Sequence, residues 1–223
     1  MKKIHIALFA LAIFFASLAI AGLGFVFKAA VTLTCILMLF MDRKRVLSSH
    51  KESWFIVGAF IVSVLGDAFL SHMEGNASFF VAGIALYFLA HLGYLLFALK
   101  NGRIDVVFTI TLLVVFLTFF FMVLYPAITD KILLLAVLVY LLISCISLGA
   151  AFRLNFSPVS ARAFFAAIAL ILISDTFISL KEFTSFQHLN FLILPTYYAA
   201  HLLITFALLK RSAWKKPLPD MHS

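Results

Sequence analysis

An all-helical integral membrane bundle of eight transmembrane helices is the architecture this sequence predicts, and three observations predict it. Hydrophobic residues make up 65% of the 223 positions and charged residues only 12%, with a mean hydropathy of +1.17. A soluble domain carries roughly 25% charged residues and cannot hide so much apolar surface. The apolar residues come in continuous runs of about 20, the length of a membrane-crossing helix, not in the shorter alternating segments of a barrel. The lysines and arginines sit in the gaps between runs, and under an eight-span count almost all of them share one side.

The first run, 4–23, follows Met1-Lys2-Lys3. Ala19-Ile20-Ala21 could serve as a cleavage site, but the apolar stretch continues to Phe27. That is longer than the roughly 7–15 residues of a signal-peptide core, so the run reads as a retained helix. The second run, 26–41, is followed by the most polar connection, Asp42 to Ser53. Runs at 54–72, 78–99, 104–124, 131–152, 160–180 and 190–209 follow with short connections. No stretch leaves room for a soluble domain, so residues 1–223 read as a single transmembrane domain.

With eight spans, Lys2, Lys3, Arg43, Lys44, Arg45, Lys51, Lys100, Arg103, Arg153, Arg162, Lys210, Arg211, Lys215 and Lys216 fall on one side. Only Lys28, Lys131 and Lys181 fall on the other. The positive-inside rule assigns the first side, with both termini, to the cytoplasm. The net charge of +8 then reflects topology and anionic headgroups, not nucleic acid. The expected location is the inner membrane of a bacterium, or an internal membrane of a eukaryote. Cys35 and Cys145 both lie in apolar runs and read as small hydrophobic residues, not a disulfide. Nothing in the sequence indicates an oligomeric state.

The chain also repeats itself. Ser63-Val64-Leu65-Gly66-Asp67-Ala68-Phe69-Leu70-Ser71 is echoed by Ser174-Asp175-Thr176-Phe177-Ile178-Ser179. Tyr87-Phe88-Leu89-Ala90-His91-Leu92 is echoed by Tyr197-Tyr198-Ala199-Ala200-His201-Leu202. The offset is 108 positions between the aspartates and 110 between the histidines. Two halves of four spans, about 1–103 and 104–223, follow. An even number of spans per half makes the halves parallel, related by a pseudo-two-fold axis along the membrane normal.

A carboxylate in hydrocarbon costs roughly 2.5–3.5 kcal/mol on insertion scales, so two of them in matching contexts need a reason. Helical spacing puts Ser63, Asp67 and Ser71 on one face of the third span, and Asp175 with Ser179 on one face of the seventh. Tyr87, His91 and Tyr94 share a face of the fourth span; Tyr197, Tyr198, His201 and Thr205 share one of the eighth. These stripes must face protein or water, and they can converge on one central pocket. Two carboxyl groups sharing a buried site titrate apart, which supplies a general acid beside a general base. A structural reading stands next to this one: each aspartate bonded to a neighbouring Tyr or His, the serines and Thr205 packing helices, and Lys28 snorkelling to the interface. Contact with a lipid phosphate is the sharper reading of Lys28.

No nucleophile elbow, glycine-rich phosphate loop or HExxH motif is present. Two His and two Asp form only a weak metal pattern, and no cofactor is expected. Gly66-Asp67 partly matches intramembrane aspartyl proteases, but Val64 stands where their second glycine would be, and Ser174 precedes the other aspartate.

These residues together resemble the YhhN-like lysoplasmalogenase family of eight-span membrane proteins. The resemblance rests on Gly66-Asp67 with Phe69-Leu70, Gly83 to Tyr94 through Ala90-His91-Leu92, Ser174-Asp175, and Tyr197-Tyr198 with His201-Leu202-Leu203-Ile204. One departure is that Ala29 follows Lys28 where the family tends to have proline. The resemblance implies hydrolysis of the vinyl-ether bond of a lysoplasmalogen to a fatty aldehyde and glycerophosphoethanolamine or glycerophosphocholine. It maps the family's two aspartates onto Asp67 and Asp175. His91, His201, Tyr87, Tyr94, Tyr197, Tyr198 and Lys28 would orient the carboxyls and water or bind the headgroup. Membrane lipids and the lysophospholipid substrate are the expected partners. The alternative is a small-molecule or proton-coupled transporter, since buried Asp/His pairs and parallel repeats occur there too. A protein whose polar stripes only join helices is a third reading.

Overall fold

The computed structural model describes residues 2–73 and 76–211. It consists of α1 (Lys3–Ile20), α2 (Phe25–Met41), α3 (Trp54–Ser71), α4 (Ala77–Asn101), α5 (Val106–Phe119), α6 (Lys131–Ala151), α7 (Pro158–Thr184) and α8 (Asn190–Arg211). A π-helical turn, Phe120–Leu124, extends α5. No strand occurs among the described residues. Each helix coincides with a predicted apolar run to within a few residues. Lys215 and Lys216, counted above on the basic side, lie outside the described residues.

Seven of these helices are long and apolar enough to cross a membrane, all but α2. The 17 residues of α2 extend about 26 Å, against a hydrocarbon thickness of about 30 Å.

Local signals set the helix ends. Asn76, Asp105, Asp130 and Ser157 cap α4, α5, α6 and α7, each accepting backbone N–H bonds from the first turn. Pro158 opens α7, where its missing N–H costs nothing. Between α1 and α2 the chain reverses over residues 21–24, where Gly22 and Gly24 adopt φ of 80° and 105°. Side chains with a Cβ rarely take that conformation.

The helices pack as neighbours in sequence and then as a bundle. α1 lies along α2, α3 along α4, α5 along α6 and α7 along α8. α2 also touches α3 and α8, while α6 touches α4 and α7. At Gly93 the backbones of α3 and α4 meet so closely that a Cβ would stand 2.8 Å from the Phe55 carbonyl oxygen.

The polarity is the reverse of a soluble bundle. Val107 and Met122 are 77% and 76% exposed on the outer surface. Asp67, His91, Ser144, Ser147, Ser174 and His201 are buried within it. In lipid this arrangement keeps apolar atoms outside and gives polar groups partners inside.

One end of the bundle gathers ionic contacts. Lys2 pairs with Asp42, tying the start of α1 to the end of α2. Arg211, at the end of α8, donates to Glu52 and to Asn101 and lies 4.5 Å over the Phe156 ring. Arg153 pairs with Asp105. The Asp105 carboxyl is held below the ordinary carboxylate range, chiefly by the Phe108 N–H and also by the Arg153 charge. Beneath this end, Phe60, Tyr94, Phe97, Phe164 and Ile168 form a close-packed core.

Candidate active site

The opposite end of the bundle, where α2 and α8 begin and α3 and α7 finish, holds the two aspartates. α3 delivers Asp67 one turn before its end, and Gly66 makes the place beside it possible. A Cβ on Gly66 would come 3.3 Å from the ring of Tyr87, so glycine lets that ring lie against α3. The Tyr87 hydroxyl then donates to Asp67 Oδ1. From α8, Tyr197 donates to the other oxygen, Oδ2, at 3.3 Å. The two rings meet edge to face, their centroids 6.2 Å apart.

Asp175, on α7, has a different surround. Tyr140 on α6 donates to its Oδ2 at 2.6 Å, and His91 Nε2 lies 3.3 Å from the same oxygen. The His91 and Tyr140 rings also pack edge to face at 5.2 Å. His91 is 1% exposed, and its Nδ1 has no hydrogen-bond partner among the described residues. A ring hydrogen on Nε2, facing Asp175, gives His91 a satisfied donor instead of an orphaned one. Ser147 donates to the His91 carbonyl at 3.1 Å, fixing α6 against α4. Ser174 does the same for α7 and α8 through the Ile193 carbonyl at 3.0 Å.

Two cavities meet here. A polar one of about 270 Å³ is lined by both aspartates, Tyr87, Tyr197, Lys28 and Ser71, with the Lys181–Glu182 pair at its rim. Lys28 Nζ donates to Ser71 Oγ at 3.0 Å, joining α2 to the end of α3. An apolar cleft of about 70 Å³ runs among α4, α5, α6 and α7, lined by Ile84, Phe116, Phe119, Val137 and Leu141. Tyr87 and Asp175 line both, whereas Asp67 lines only the polar cavity.

The aspartates therefore share a site, with Tyr87, His91, Tyr197 and Lys28 around them. Tyr94, Tyr198 and His201 do not line the cavity, although Tyr94 packs edge to face on His91 at 5.8 Å and His201 on Tyr197 at 4.4 Å. Tyr94 is 2% exposed in the core beneath. Tyr198 packs with Ala16, Ala19 and Val31 of α1 and α2. His201 turns Nδ1 back to the Tyr197 carbonyl at 3.0 Å and stacks on Phe60 at 4.8 Å. Cys35 and Cys145 are free and buried.

Tyr140 is the contact that reading the sequence missed. Tyr140, Ser144 and Ser147 form a polar stripe at i, i+4 and i+7 on α6, which was available as a signal. The repeat expected from the sequence gave no pointer to it, because the positions 110 residues earlier, on α2, are Ala30, Thr34 and Leu37.

The profile of the YhhN family matches residues 23–208, and the chain belongs to that family. Comparison with curated proteins and with solved structures returned no match.

Proposed function

We propose that this protein is a membrane hydrolase that cleaves the vinyl-ether bond of lysoplasmalogens, with Asp67 and Asp175 as general acid and base. The observation that carries the reading is the pair of carboxyls lining one cavity at its junction with an apolar cleft. Membership of the YhhN family supports it. A single-chain lipid has the matching shape: a phosphorylated headgroup for the polar cavity, beside Lys28, and a hydrocarbon tail for the cleft. The vinyl ether then sits at the junction. Protonation of its outer alkene carbon gives an oxocarbenium ion, which a carboxylate stabilises and water attacks. The hemiacetal collapses to a fatty aldehyde and glycerophosphoethanolamine or glycerophosphocholine.

We further read the bundle as eight spans in two parallel halves with cytoplasmic termini. Renumbering each helix by four carries α1–α2 onto α5–α6, α2–α3 onto α6–α7, α3–α4 onto α7–α8 and α2–α8 onto α6–α4, all of them packed pairs. At 17 residues α2 reaches the lower limit of spanning lengths. The site then opens away from the cytoplasm. The packed rings of Phe60, Tyr94, Phe97 and Phe164 stand between it and the other end, which favours a hydrolase over a transporter.

The test is aldehyde release from a 1-alkenyl lysophospholipid by the purified protein, with 1-alkyl and 1-acyl analogues as controls. Asp67→Asn and Asp175→Asn, each still folded, should lose at least ~100-fold in turnover, the scale of removing a general acid or base. Equal turnover of the saturated alkyl ether, or normal turnover by either variant, would sink the proposal.

A further inference from the structure

We infer that Glu182 is a specificity-determining residue of this site: its carboxylate receives the cationic end of the lysolipid headgroup, while Lys28, held by Ser71, receives the phosphate. This rests on the hydrolase reading and deepens it, because it names the headgroups that the cavity selects. Lysolipids whose phosphate carries an ammonium group, such as ethanolamine, are taken ahead of those whose phosphate ends in a neutral alcohol.

The first observation is the order of charge along the cavity, which is lined by Asp67, Asp175, Lys28, Ser71 and Glu182. Both α3 and α7 finish at this end of the bundle, at Ser71 and Thr184, so later positions on each lie further toward the mouth. Ser71 follows Asp67 by four residues, which is one turn on the same face and about 6 Å along the axis. Lys28 Nζ is tied to that level by its 3.0 Å hydrogen bond to Ser71 Oγ. Glu182 follows Asp175 by seven residues, which is two turns on the same face and about 10.5 Å along the axis. From the aspartates outward the lining therefore presents an ammonium and then a carboxylate.

The second observation is that these spacings are those of the ligand. In a glycerophosphoethanolamine headgroup five bonds lead from the ether oxygen to phosphorus, and four more lead to nitrogen. An extended chain advances about 1.2 Å per bond, which puts phosphorus about 6 Å and nitrogen about 11 Å from the ether oxygen. With the ether oxygen at the level of the aspartates, the phosphate reaches Lys28 and Ser71, and the ammonium reaches Glu182. The ligand's negative and then positive charge meet their opposites in the same order. A phosphoglycerol headgroup has a similar reach but brings no charge to Glu182.

Glu182 is also available to a ligand. Its partner in the structure is Lys181, 2.8 Å away, and the two side chains are 21% and 43% exposed. Neighbours on a helix diverge by about 100°, and exposed ion pairs of this kind hold weakly. A headgroup ammonium can therefore share or take over the carboxylate without breaking a buried bond. The cavity encloses the arriving charge more than open water does, so complementary charge there contributes selectivity. A neutral headgroup leaves the Glu182–Lys181 pair as it is and gains nothing from it.

Equilibrium binding of two 1-alkyl lysolipids to the purified full-length protein in nanodiscs tests this without turnover. One ends in phosphoethanolamine and the other in phosphoglycerol. The wild type should bind the phosphoethanolamine lipid about tenfold more tightly. Glu182→Gln, close in shape but uncharged, should erase that preference while leaving the phosphoglycerol lipid within about threefold. Lys28→Met should weaken both lipids alike. Lys181→Met should keep the preference, which separates the loss of the Glu182 charge from the release of its neighbour. Equal affinities in the wild type, a preference that survives Glu182→Gln, equal weakening of both lipids by Glu182→Gln, or a preference lost in Lys181→Met each overturns the proposal. Aldehyde release from the 1-alkenyl phosphoethanolamine lysolipid is scored separately. Preferential binding without aldehyde release counts against the hydrolase reading alone, and aldehyde release without the preference counts against the Glu182 assignment alone.

Discussion

The motifs that echo one another in the sequence are used differently in the structure. His91 and His201 each follow alanine and precede leucine. One reaches across the bundle to Asp175; the other turns to its own helix and lies on Phe60. Tyr87 and Tyr197 are repeat mates too, yet both serve Asp67, leaving Asp175 to His91 and to Tyr140, which has no counterpart in the first half. Two carboxyls sharing a site titrate apart even when they are alike; here their hydrogen-bond partners differ as well. The proposed acid–base chemistry needs two unequal groups, and the different partners of the two carboxyls are consistent with that proposal.

Four measurements probe that contrast, in decreasing order of expected effect. On the proposed reading, loss of either carboxyl, as above, should abolish most turnover, because both line the one cavity. Next, His91→Gln should lower kcat about tenfold or more, as expected on the proposed reading for a group that positions a reacting carboxyl. His201→Gln should stay within about threefold once the folded fraction is corrected for. Equal losses from both histidines would mean that the halves are functionally alike and would break the comparison.

A smaller effect is expected at Lys28, whose ammonium lies in the polar cavity and donates to Ser71. Lys28→Met should raise KM for a phosphate-bearing lysolipid while leaving kcat nearly unchanged, the signature of lost uniform binding. An unchanged KM would remove Lys28 from headgroup recognition and leave it as a tie between α2 and α3. The smallest effect is predicted at the far end of the bundle, in Asp105→Asn. The Asp105 carboxyl is depressed in the folded state, so it stabilises the fold above its unfolded pKa. That contribution disappears as pH falls through the lower folded value. Asparagine still caps α5 but carries no charge toward Arg153. The acid-side fall in thermal stability should therefore be shallower in the variant, with aldehyde release unaffected at neutral pH. A steeper fall would show that the Asp105 charge does not stabilise the fold.

Much of the site was legible because polar residues in apolar helices are rare enough to be informative. The stripe of Ser63, Asp67 and Ser71 pointed inward as helical spacing requires, and the repeat singled out Asp175 as its mate. Tyr94 and His201, on the same stripes, did not reach the cavity, and depth along the helix explains why; Tyr198, one residue and about 100° round from Tyr197, turns to α1 and α2 instead. Tyr94 lies seven residues beyond Tyr87, about 10 Å along the axis, and His201 lies one turn beyond Tyr197. A stripe tells which face looks inward, not how far down the bundle the cavity extends. Below the first turns the same faces meet packed aromatic rings instead.

Composition and spacing alone thus determined that the chain is helical, that it belongs in a bilayer, and that both carboxyls turn from the lipid. These follow from each residue's own transfer free energy and from the 3.6-residue period, which act locally. Which donor meets which oxygen was decided only by the tertiary structure. That outcome depends on how α4, α6, α7 and α8 are rotated and set against one another. Close packing of every side chain in the bundle determines those rotations at once, and no local pattern contains them.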